Sequence, residues 1–504
     1  MSNAKRVITN SLYMYIRMGI LMLISLYTSR ILLQQLGLED FGIYNLVGSI
    51  VLMFNSLRGL FANSTQRFLN IEMGKGNNNR LKIIFNMSLY INLIIAFIFF
   101  VIVEIVGLWF FKYEININPE RLTAAYIVFQ FAILTAIVSI LTTPFDAVII
   151  ANERIKFYAY IAILEAAGKL LIVVMLSHSP FDKLIYYSIL LFIVQLIIRF
   201  VNSQYCHKHF SESKTFRCWD KTLFKEMSSF AGWNFIGNLG FSLTNEGINM
   251  LLNVYGGPIV NAARGISYQV RNLTEQFLSS VNKAVEPFSM KLYAQNKLND
   301  YYNLLYLSSK ALYIVYLCIS APIFIFTEQI LYFWLGCVPE YSASFIRILM
   351  IYGVIRSLLA PLDVLFLAAN KIKYYQLRNI FISLLQLISA YYVLRFGYTY
   401  DSVFIVMVCA IILSYTTILL QAWKTCGLEL GRYVSQVILK IFPHIFCIIL
   451  VVHLITRINE SDNFQVVILY SLFTDIVIIF SSYFICLNKM ERLLITNIIR
   501  NPQK

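Results

Sequence analysis

Two arginines, Arg264 and Arg271, are the residues of this chain best suited to bind a ligand, and both lie in a stretch with helical spacing. Polar side chains recur there every three or four residues, which places them on one stripe of a helix. The stripe contains Asn261, Arg264, Tyr268, Arg271, Glu275, Ser279 and Asn282. A guanidinium group is always charged and can hold phosphate or carboxylate oxygens through two parallel hydrogen bonds. We therefore predict that Arg264 and Arg271 bind an anion.

Glu275 leaves a second interpretation of this stripe open. It lies four residues after Arg271, the spacing at which opposite charges pair on a helix. Arg271 and Glu275 would then only neutralise each other inside a packed bundle. That pairing leaves Arg264 and the asparagines of the stripe unexplained. The sequence therefore favours a water-filled cavity lined by Arg264, Arg271 and Glu275.

The preceding helical stretch carries a second polar stripe, which is rich in asparagine. It contains Asn234, Asn238, Ser242, Asn245 and Asn249, and Glu246 lies beside it. Two neighbouring helices with continuous polar stripes cannot both face hydrocarbon, because unsatisfied polar groups there are costly. We expect each stripe to line an aqueous cavity or a polar interface.

The elements that must position these residues are membrane-spanning helices. The chain is 59% hydrophobic and only 13% charged, against about 25% charged in a soluble domain. A bilayer core takes about 20 helical residues to cross, and about fourteen apolar windows of that length occur along the chain. The predicted spans are 8–33, 41–61, 83–110, 122–150, 157–177, 184–203, 226–252, 259–283, 303–333, 344–368, 375–394, 402–423, 434–456 and 464–486. The predicted fold class is an all-α polytopic membrane protein.

The distribution of basic residues predicts the orientation of these spans. With a cytoplasmic N-terminus, the outer loops hold only five of the 41 lysines and arginines, which is the bias known as the positive-inside rule. An even number of spans then places both termini in the cytoplasm. The net charge of +15 is explained by anionic lipid at the inner leaflet, so we predict no nucleic-acid partner.

One segment occurs twice in the chain and indicates an internal duplication. The segment 143–158 matches 360–375, so that Pro144 pairs with Pro361 and Asp146 with Asp363. The two copies lie six predicted helices apart, which gives the two halves the same orientation. We predict an N-lobe over 1–203, a cytoplasmic linker over 204–225 and a C-lobe over 226–423. The remaining residues, 424–504, form helices thirteen and fourteen and a basic cytoplasmic tail. Parallel repeats of this kind place a substrate path between two lobes.

Several other charged residues fall inside predicted spans, where lipid makes them costly. Arg17 lies deep in the first span and Arg58 near the end of the second, and both are candidates to line a cavity. Further candidates are Arg347, Arg356 and Arg378. Glu165 and Lys169, at i and i+4, form either a structural ion pair or part of a cation-coupling site. Asp146 and Asp363 follow prolines and either shape a helix end or take part in coupling, and Glu246 is a further coupling candidate.

The sequence lacks the features of an enzyme. It has no phosphate-binding glycine-rich loop of the P-loop type, and its longest predicted outer loop, 111–121, leaves little room for catalytic residues. The cysteines and histidines near residue 206 match no common zinc spacing. We predict neither an enzyme nor a metal site, and no cofactor.

The opening of the chain carries a family resemblance. The opening segments 10–17 and 29–44 resemble bacterial O-antigen and capsule repeat-unit flippases, whose superfamily also contains multidrug extruders and lipid II flippases. The Leu-Gly-x-x-x-Phe-Gly-x-Tyr-x-Leu pattern at 36–46 is typical of this superfamily. So is the Pro-x-Asp…Ala-Asn…Ile-Lys-x-Tyr element at 144–158. The similarity runs through predicted spans one to twelve.

The resemblance implies a function in the export of surface polysaccharide. It implies two six-helix lobes around a cavity that opens alternately to each side of the bacterial inner membrane. The substrate would be an oligosaccharide unit on undecaprenyl pyrophosphate, and polymerases and glycosyltransferases of the same assembly would be partners. In lipid II flippases, arginines of helices one, two and eight meet the pyrophosphate. The corresponding candidates here are Arg17, Arg58, Arg264 and Arg271, and Asn234, Asn238 and Asn245 would bind sugar hydroxyls.

Two other functions compete with this interpretation. A cation-coupled drug or metabolite antiporter of the same fold predicts that acidic residues dominate the cavity. Relatives of that kind usually carry an acidic residue in the first helix, and the span 8–33 has none. A membrane-embedded polymerase or ligase predicts a long outer loop, which the hydropathy pattern does not provide.

Overall fold

The structure is a computed structural model that describes residues 3–74, 78–152, 154–177, 179–214, 219–369, 371–458, 464–489 and 491–492. Throughout these ranges the chain is helical, with turns and short connections and without a strand, so the predicted all-α fold is confirmed. The first six helices are α1 Asn3–Gly74, α2 Asn78–Tyr113, α3 Leu122–Ala151, α4 Ile155–Leu176, α5 Lys183–His209 and α6 Lys221–Ala294. The remaining helices are α7 Leu298–Ile325, α8 Thr327–Leu335, α9 Ser342–Ala368, α10 Ile372–Arg395, α11 Asp401–Cys426, α12 Leu430–Tyr433, α13 Leu439–Ile458 and α14 Phe464–Ile485.

Eleven helical segments of the described residues are long and apolar enough to cross a membrane. They correspond to predicted spans one, three to six and nine to fourteen. Predicted span two lies in the second half of α1, and predicted spans seven and eight both lie in α6. The asparagines and arginines of spans seven and eight make α6 more polar than the other long helices.

The two longest helices, α1 and α6, each contain one break at a glycine. Gly37 has φ 76° and ψ 174°, and Gly257 has φ 71° and ψ −170°. Only glycine adopts this backbone conformation without steric cost. Each break separates two predicted spans, one and two in α1 and seven and eight in α6. A glycine break therefore occurs at corresponding places in both halves, as expected from a duplicated chain.

By packing, the chain divides into two compact units, Met1–Ala262 and Ala263–Lys504, which we call unit 1 and unit 2. The division falls inside α6, just after the break at Gly257. The predicted lobes and linker are based on the internal repeat, and their boundaries stay predictions. One core of unit 1 joins α1, α2, α3 and α5 through residues such as Ile43, Phe99, Phe129 and Leu184. In unit 2, Leu278, Leu312 and Tyr316 form a smaller apolar cluster between α6, α7 and α9.

Glycine is required at position 42 of α1, because the backbone there lies close to the backbone of Pro258 in unit 1. A Cβ atom at this position would lie 1.9 Å from the carbonyl oxygen of Pro258. We expect Gly42→Ala to destabilise the protein by about 1–3 kcal/mol, because backbone atoms must shift to admit the methyl group. Gly48→Ala on the same helix is the matched control, since a Cβ there meets no atom within 4 Å and alanine favours the helix. Thermal unfolding in detergent measures the difference, and equal melting temperatures for the two variants would contradict the packing described here.

Candidate functional site

The arginines of the first polar stripe are stacked on tyrosine rings inside unit 2. The guanidinium carbon of Arg264 lies 4.0 Å from the ring centroid of Tyr268. That of Arg271 lies 5.1 Å from the same centroid and 4.8 Å from the centroid of Tyr352 on α9. Tyr268 thus contacts both arginines. Cation–π contacts of this kind hold a guanidinium in place while leaving its edge free to donate hydrogen bonds.

Both arginines are withdrawn from the surface, with 6% of Arg264 and 5% of Arg271 exposed. Arg271 donates from Nε to Glu275 Oε1 over 2.9 Å, so the i,i+4 pair is formed. This bond uses Nε and does not use the two terminal nitrogens of Arg271. Glu275 therefore orients Arg271 through Nε, and both terminal nitrogens of Arg271 stay outside the pair.

Further charged residues extend this arrangement along α9 and α10. Arg356 interacts electrostatically with Glu275 and donates from Nη1 to Asp363 Oδ2 over 2.9 Å. Asp363 also accepts from the Tyr375 hydroxyl over 2.7 Å, and the Arg378 guanidinium lies 5.1 Å from the Tyr375 ring centroid. Nε and Nη1 of Arg378 are buried without a hydrogen-bond partner in the described part of the chain.

We call this set the polar row of unit 2. It consists of Arg264, Tyr268, Arg271, Glu275, Tyr352, Arg356, Asp363, Tyr375 and Arg378. Its four guanidinium groups exceed its two carboxylates, which gives a formal charge of +2. Arg356 and Arg378 are among the arginines that the sequence marks as cavity candidates. Tyr352 is missed by sequence reasoning, because a tyrosine in an apolar span has no signal that distinguishes a stacking partner from a core residue. Tyr375 is missed as a site residue as well, although it ends the second copy of the duplicated segment.

The asparagine stripe makes contacts within unit 1. Asn261 donates from Nδ2 to the side-chain oxygen of Asn249 over 2.7 Å and to its carbonyl oxygen over 2.9 Å. Asn253 accepts from the backbone nitrogen of Asn116 over 3.2 Å. Asn245 donates to Glu246 Oε1 over 2.7 Å. Two amides of the stripes, Asn249 and Asn261, therefore belong to a polar interface, one of the two environments expected for them. Asn253, which lies outside both stripes, joins the same α6 segment to Asn116.

Four of the predicted site residues cannot be placed. The side chains of Arg17, Arg58, Asn234 and Asn238 lie outside the described residues, although the backbone there is helical.

A second polar region is a cavity of about 480 Å³ inside unit 1, which we call the unit 1 cavity. Residues of α1, α3, α4 and α5 line it, among them Asn45, Glu165, Lys169 and Gln195. Lys169 donates from Nζ to Glu165 Oε1 over 2.7 Å, so this i,i+4 pair is also formed. The pair borders the cavity, where its charges meet space that water can occupy. Gln195 is missed by sequence reasoning, although a single amide in the apolar run 190–198 is a usable signal.

The aspartates of the duplicated segment anchor helix ends in both units. Asp146 near the end of α3 accepts from Asn202 Nδ2 of α5 over 2.9 Å. Asp363 near the end of α9 contacts Arg356 and Tyr375, as described above. Both contacts join the proline-containing helix to another element. This arrangement accords with the helix-shaping alternative for Asp146 and Asp363, and a coupling role for either stays a prediction.

Arg121, which lies in a predicted loop, connects α1 to the start of α5 within unit 1. Its position in the sequence does not indicate this role. It donates from Nε to Asp40 Oδ1 over 2.8 Å and from Nη1 to Asp182 Oδ2 over 2.6 Å. Asp182 also caps α5 by accepting from the backbone nitrogens of Leu184 and Ile185. Although burial raises the pKa of Asp182, the hydrogen bonds from Arg121 and from this helix end lower it below its usual value. Asp182 therefore stays ionised and holds Arg121 beside the break at Gly37.

Comparison with solved structures finds the same fold in membrane transporters. An inward-facing multidrug transporter of the MATE family superposes with a TM-score of 0.70 at 13% identity, over 82% of this chain and 99% of that one. The lipid II flippase MurJ in an inward closed conformation gives 0.68 at 14% identity, over 95% and 98%. A MOP superfamily transporter from Pyrococcus furiosus, described by a binding pocket of reversed polarity, gives 0.61 at 13% identity, over 85% and 96%. These likenesses establish the fold.

Sequence comparisons add no further relative. No protein-family model matches the chain, and no curated protein matches it.

Proposed function

We propose that this protein is a flippase that moves an undecaprenyl-pyrophosphate-linked oligosaccharide from the cytoplasmic to the outer leaflet of a bacterial inner membrane. The observation that carries the proposal is the pair of withdrawn arginines, Arg264 and Arg271, whose guanidinium groups both contact the ring of Tyr268 in the polar row of unit 2. Guanidinium groups inside a membrane protein are costly, and they persist where they meet a ligand or a polar partner. A pyrophosphate supplies several oxygens with the geometry that guanidinium groups hold best.

In this proposal Arg264 and Arg271 bind the pyrophosphate. Tyr268 contacts both guanidinium groups and fixes their separation, while Glu275 holds Nε of Arg271 and orients its terminal nitrogens. Arg17 and Arg58 are further candidates for the same role. The lipid tail stays in hydrocarbon while the charged head crosses, which removes the largest cost of passage. Two lobes, 1–203 and 226–423, exchange the site between leaflets by rocking.

The fold comparison supports transport more generally. A multidrug transporter of the MATE family and the lipid II flippase MurJ share this fold. Of these two, MurJ is a flippase, and its substrate is lipid II. The cationic polar row favours an anionic substrate and therefore the flippase over a cation-coupled antiporter. The coupling residues proposed from the sequence are Glu165, Lys169, Glu246, Asp146 and Asp363.

A leaflet-resolved assay in proteoliposomes tests the proposed function. The purified protein is reconstituted with a fluorescent undecaprenyl-pyrophosphate-linked disaccharide, and a membrane-impermeant quencher reports the exposed fraction. We expect the protein to raise the rate of leaflet exchange well above that of protein-free vesicles. A rate equal to that of protein-free vesicles contradicts the flippase. Efflux of a cationic dye driven by a Na⁺ or H⁺ gradient, in the same vesicles, would support the antiporter instead.

A further inference from the structure

Asp475 lies at the middle of α14 and is the only charged residue of that helix. The helix runs from Phe464 to Ile485 and is apolar enough to cross a membrane, so Asp475 lies about 15 Å from either end. An aspartate side chain is too short to reach the lipid headgroups from that depth. A carboxyl group at the middle of a span is costly, and it persists where it meets a partner.

The described part of the chain does not provide a counter-charge for this carboxyl. Asp475 is partly exposed; its Oδ1 is buried without a hydrogen-bond partner among the described residues, and its Oδ2 lies at the surface. No described lysine, arginine or histidine pairs with it, and the Cys318 thiol of α7, which interacts with it electrostatically, carries no positive charge. The nearby hydroxyl groups of Ser471 and Thr474 donate to backbone carbonyls of α14. The carboxyl is therefore open, through Oδ2, to a group from outside.

The exposed side chains around Asp475 have the spacing of a helix-packing seam. Ile468, Leu472, Asp475 and Ile479 follow one another at intervals of four, three and four residues. That repeat places them on one narrow stripe of the helix, the arrangement through which two helices pack side by side. The three apolar members are 44%, 56% and 59% exposed, so no described residue covers the stripe. We call this stripe the α14 seam.

The helix uses a different stripe to pack within unit 2. Val467, Thr474, Ile478 and Ser482 are buried there, and Val467 belongs to an apolar cluster with Phe326. The α14 seam lies beside this inner stripe. Its exposure therefore does not arise from a detached helix, because α14 is held in unit 2 by the inner stripe.

The α14 seam fits a transmembrane helix that carries one basic residue at mid-depth. Apolar side chains of the two helices would interdigitate, and an ammonium or guanidinium group would neutralise Asp475. An acyl chain covers the apolar residues but offers the carboxyl no donor. A second copy of this chain, packed through the same seam about a two-fold axis, would bring two carboxyl groups together, and like charges repel each other. Charge complementarity therefore favours a different protein.

We propose that the α14 seam is a docking surface for a transmembrane helix of a partner protein, and that Asp475 pairs there with a lysine or arginine of that helix. The inference rests on α14 and its packing, and it does not depend on the proposed function. It assigns no role to Arg264 or Arg271, so the two proposals are tested separately.

Designed transmembrane peptides test this surface. The full-length protein with a donor fluorophore is reconstituted in liposomes with acceptor-labelled peptides of about 20 leucine and alanine residues. The central residue of the peptide is lysine, leucine or glutamate, and energy transfer reports binding. We expect the lysine peptide to bind about tenfold more tightly than the leucine peptide, the gain that one polar contact between membrane helices provides. The glutamate peptide should bind no more tightly than the leucine peptide.

Variants then locate the binding surface. Asp475→Leu should remove the preference for the lysine peptide, and Leu472→Ala/Ile479→Ala should weaken the binding of both peptides. Phe473→Ala/Phe480→Ala is the matched control, because these two side chains are similarly exposed on α14 but lie off the seam. It should bind the lysine peptide like the wild type. Melting temperatures in detergent close to that of the wild type show that the variants are folded.

Three results would overturn the inference. They are equal binding of the lysine and leucine peptides, an equal gain for the lysine and glutamate peptides, and a preference that survives Asp475→Leu. Energy transfer between donor-labelled and acceptor-labelled copies of the protein, lost in Asp475→Leu, would also overturn it and would assign the seam to a second copy. The flippase proposal stands or falls independently of these results, because leaflet exchange is measured without a partner helix.

Discussion

We expect transport by Arg271→Ala to fall toward the background rate of protein-free vesicles, even when Glu275 is removed with it. Each hydrogen bond between a guanidinium and a phosphate oxygen contributes about 1.5–3 kcal/mol, so one lost arginine weakens pyrophosphate binding about tenfold to hundredfold. Arg264→Ala is expected to have an effect of the same size. The leaflet-exchange assay, together with titration of undecaprenyl pyrophosphate, measures both consequences.

The double variant Arg271→Ala/Glu275→Ala separates the two interpretations of this pair. If Arg271 only neutralises Glu275, removing both charges leaves neither member of the pair without its counter-charge, and transport recovers. If Arg271 binds the anion, the double variant regains thermal stability and still does not transport. Recovery of transport in the double variant therefore refutes the anion-binding role.

Two further variants sharpen this test. Arg271→Lys keeps the charge and loses the two-pronged geometry, so we expect an affinity between those of the wild type and the alanine variant. Arg432→Ala is the matched control, because Arg432 is half-exposed and pairs with Glu429 over 3.6 Å outside the polar row. It should transport like the wild type.

A second large effect is expected at Lys310, which is fully buried in unit 2. Its Nζ lies 2.5 Å from both carboxylate oxygens of Glu491, beyond the end of α14. Glu491 also accepts from the backbone nitrogen of Asn488 over 2.7 Å. We expect Glu491→Gln to destabilise the protein by about 3–5 kcal/mol, because it leaves a buried ammonium group without a counter-charge.

The double variant Lys310→Met/Glu491→Leu provides the decisive comparison. It replaces the pair with apolar groups of similar volume and is expected to be as stable as the wild type or more so. Glu328→Gln is the control for a lost carboxylate, because Glu328 is 56% exposed and its pair with Arg347 contributes little. Thermal unfolding in detergent ranks the variants. A melting temperature of Glu491→Gln close to that of Glu328→Gln would show that Lys310 is not buried against Glu491.

Local spacing was sufficient to predict several features of the candidate sites. The pairs Arg271–Glu275 and Glu165–Lys169 follow from the helical repeat, because residues four apart lie on the same face. The polar stripes of α6 follow from the same rule. What each amide of those stripes contacts could not be predicted, since Asn249 and Asn261 face each other across the glycine break of one long helix.

The sequence alone determined the class of the protein, its apolar helices and its internal duplication, because span length and helical periodicity depend only on neighbouring residues. Tertiary structure decided which distant residues meet. Arg121 contacts Asp40 across 81 positions, and Lys310 contacts Glu491 across 181. It also decided that Tyr352 stacks on Arg271 and that Gln195 lines a cavity. Such contacts depend on how helices pack against one another, and the order of residues within a single helix does not encode that packing.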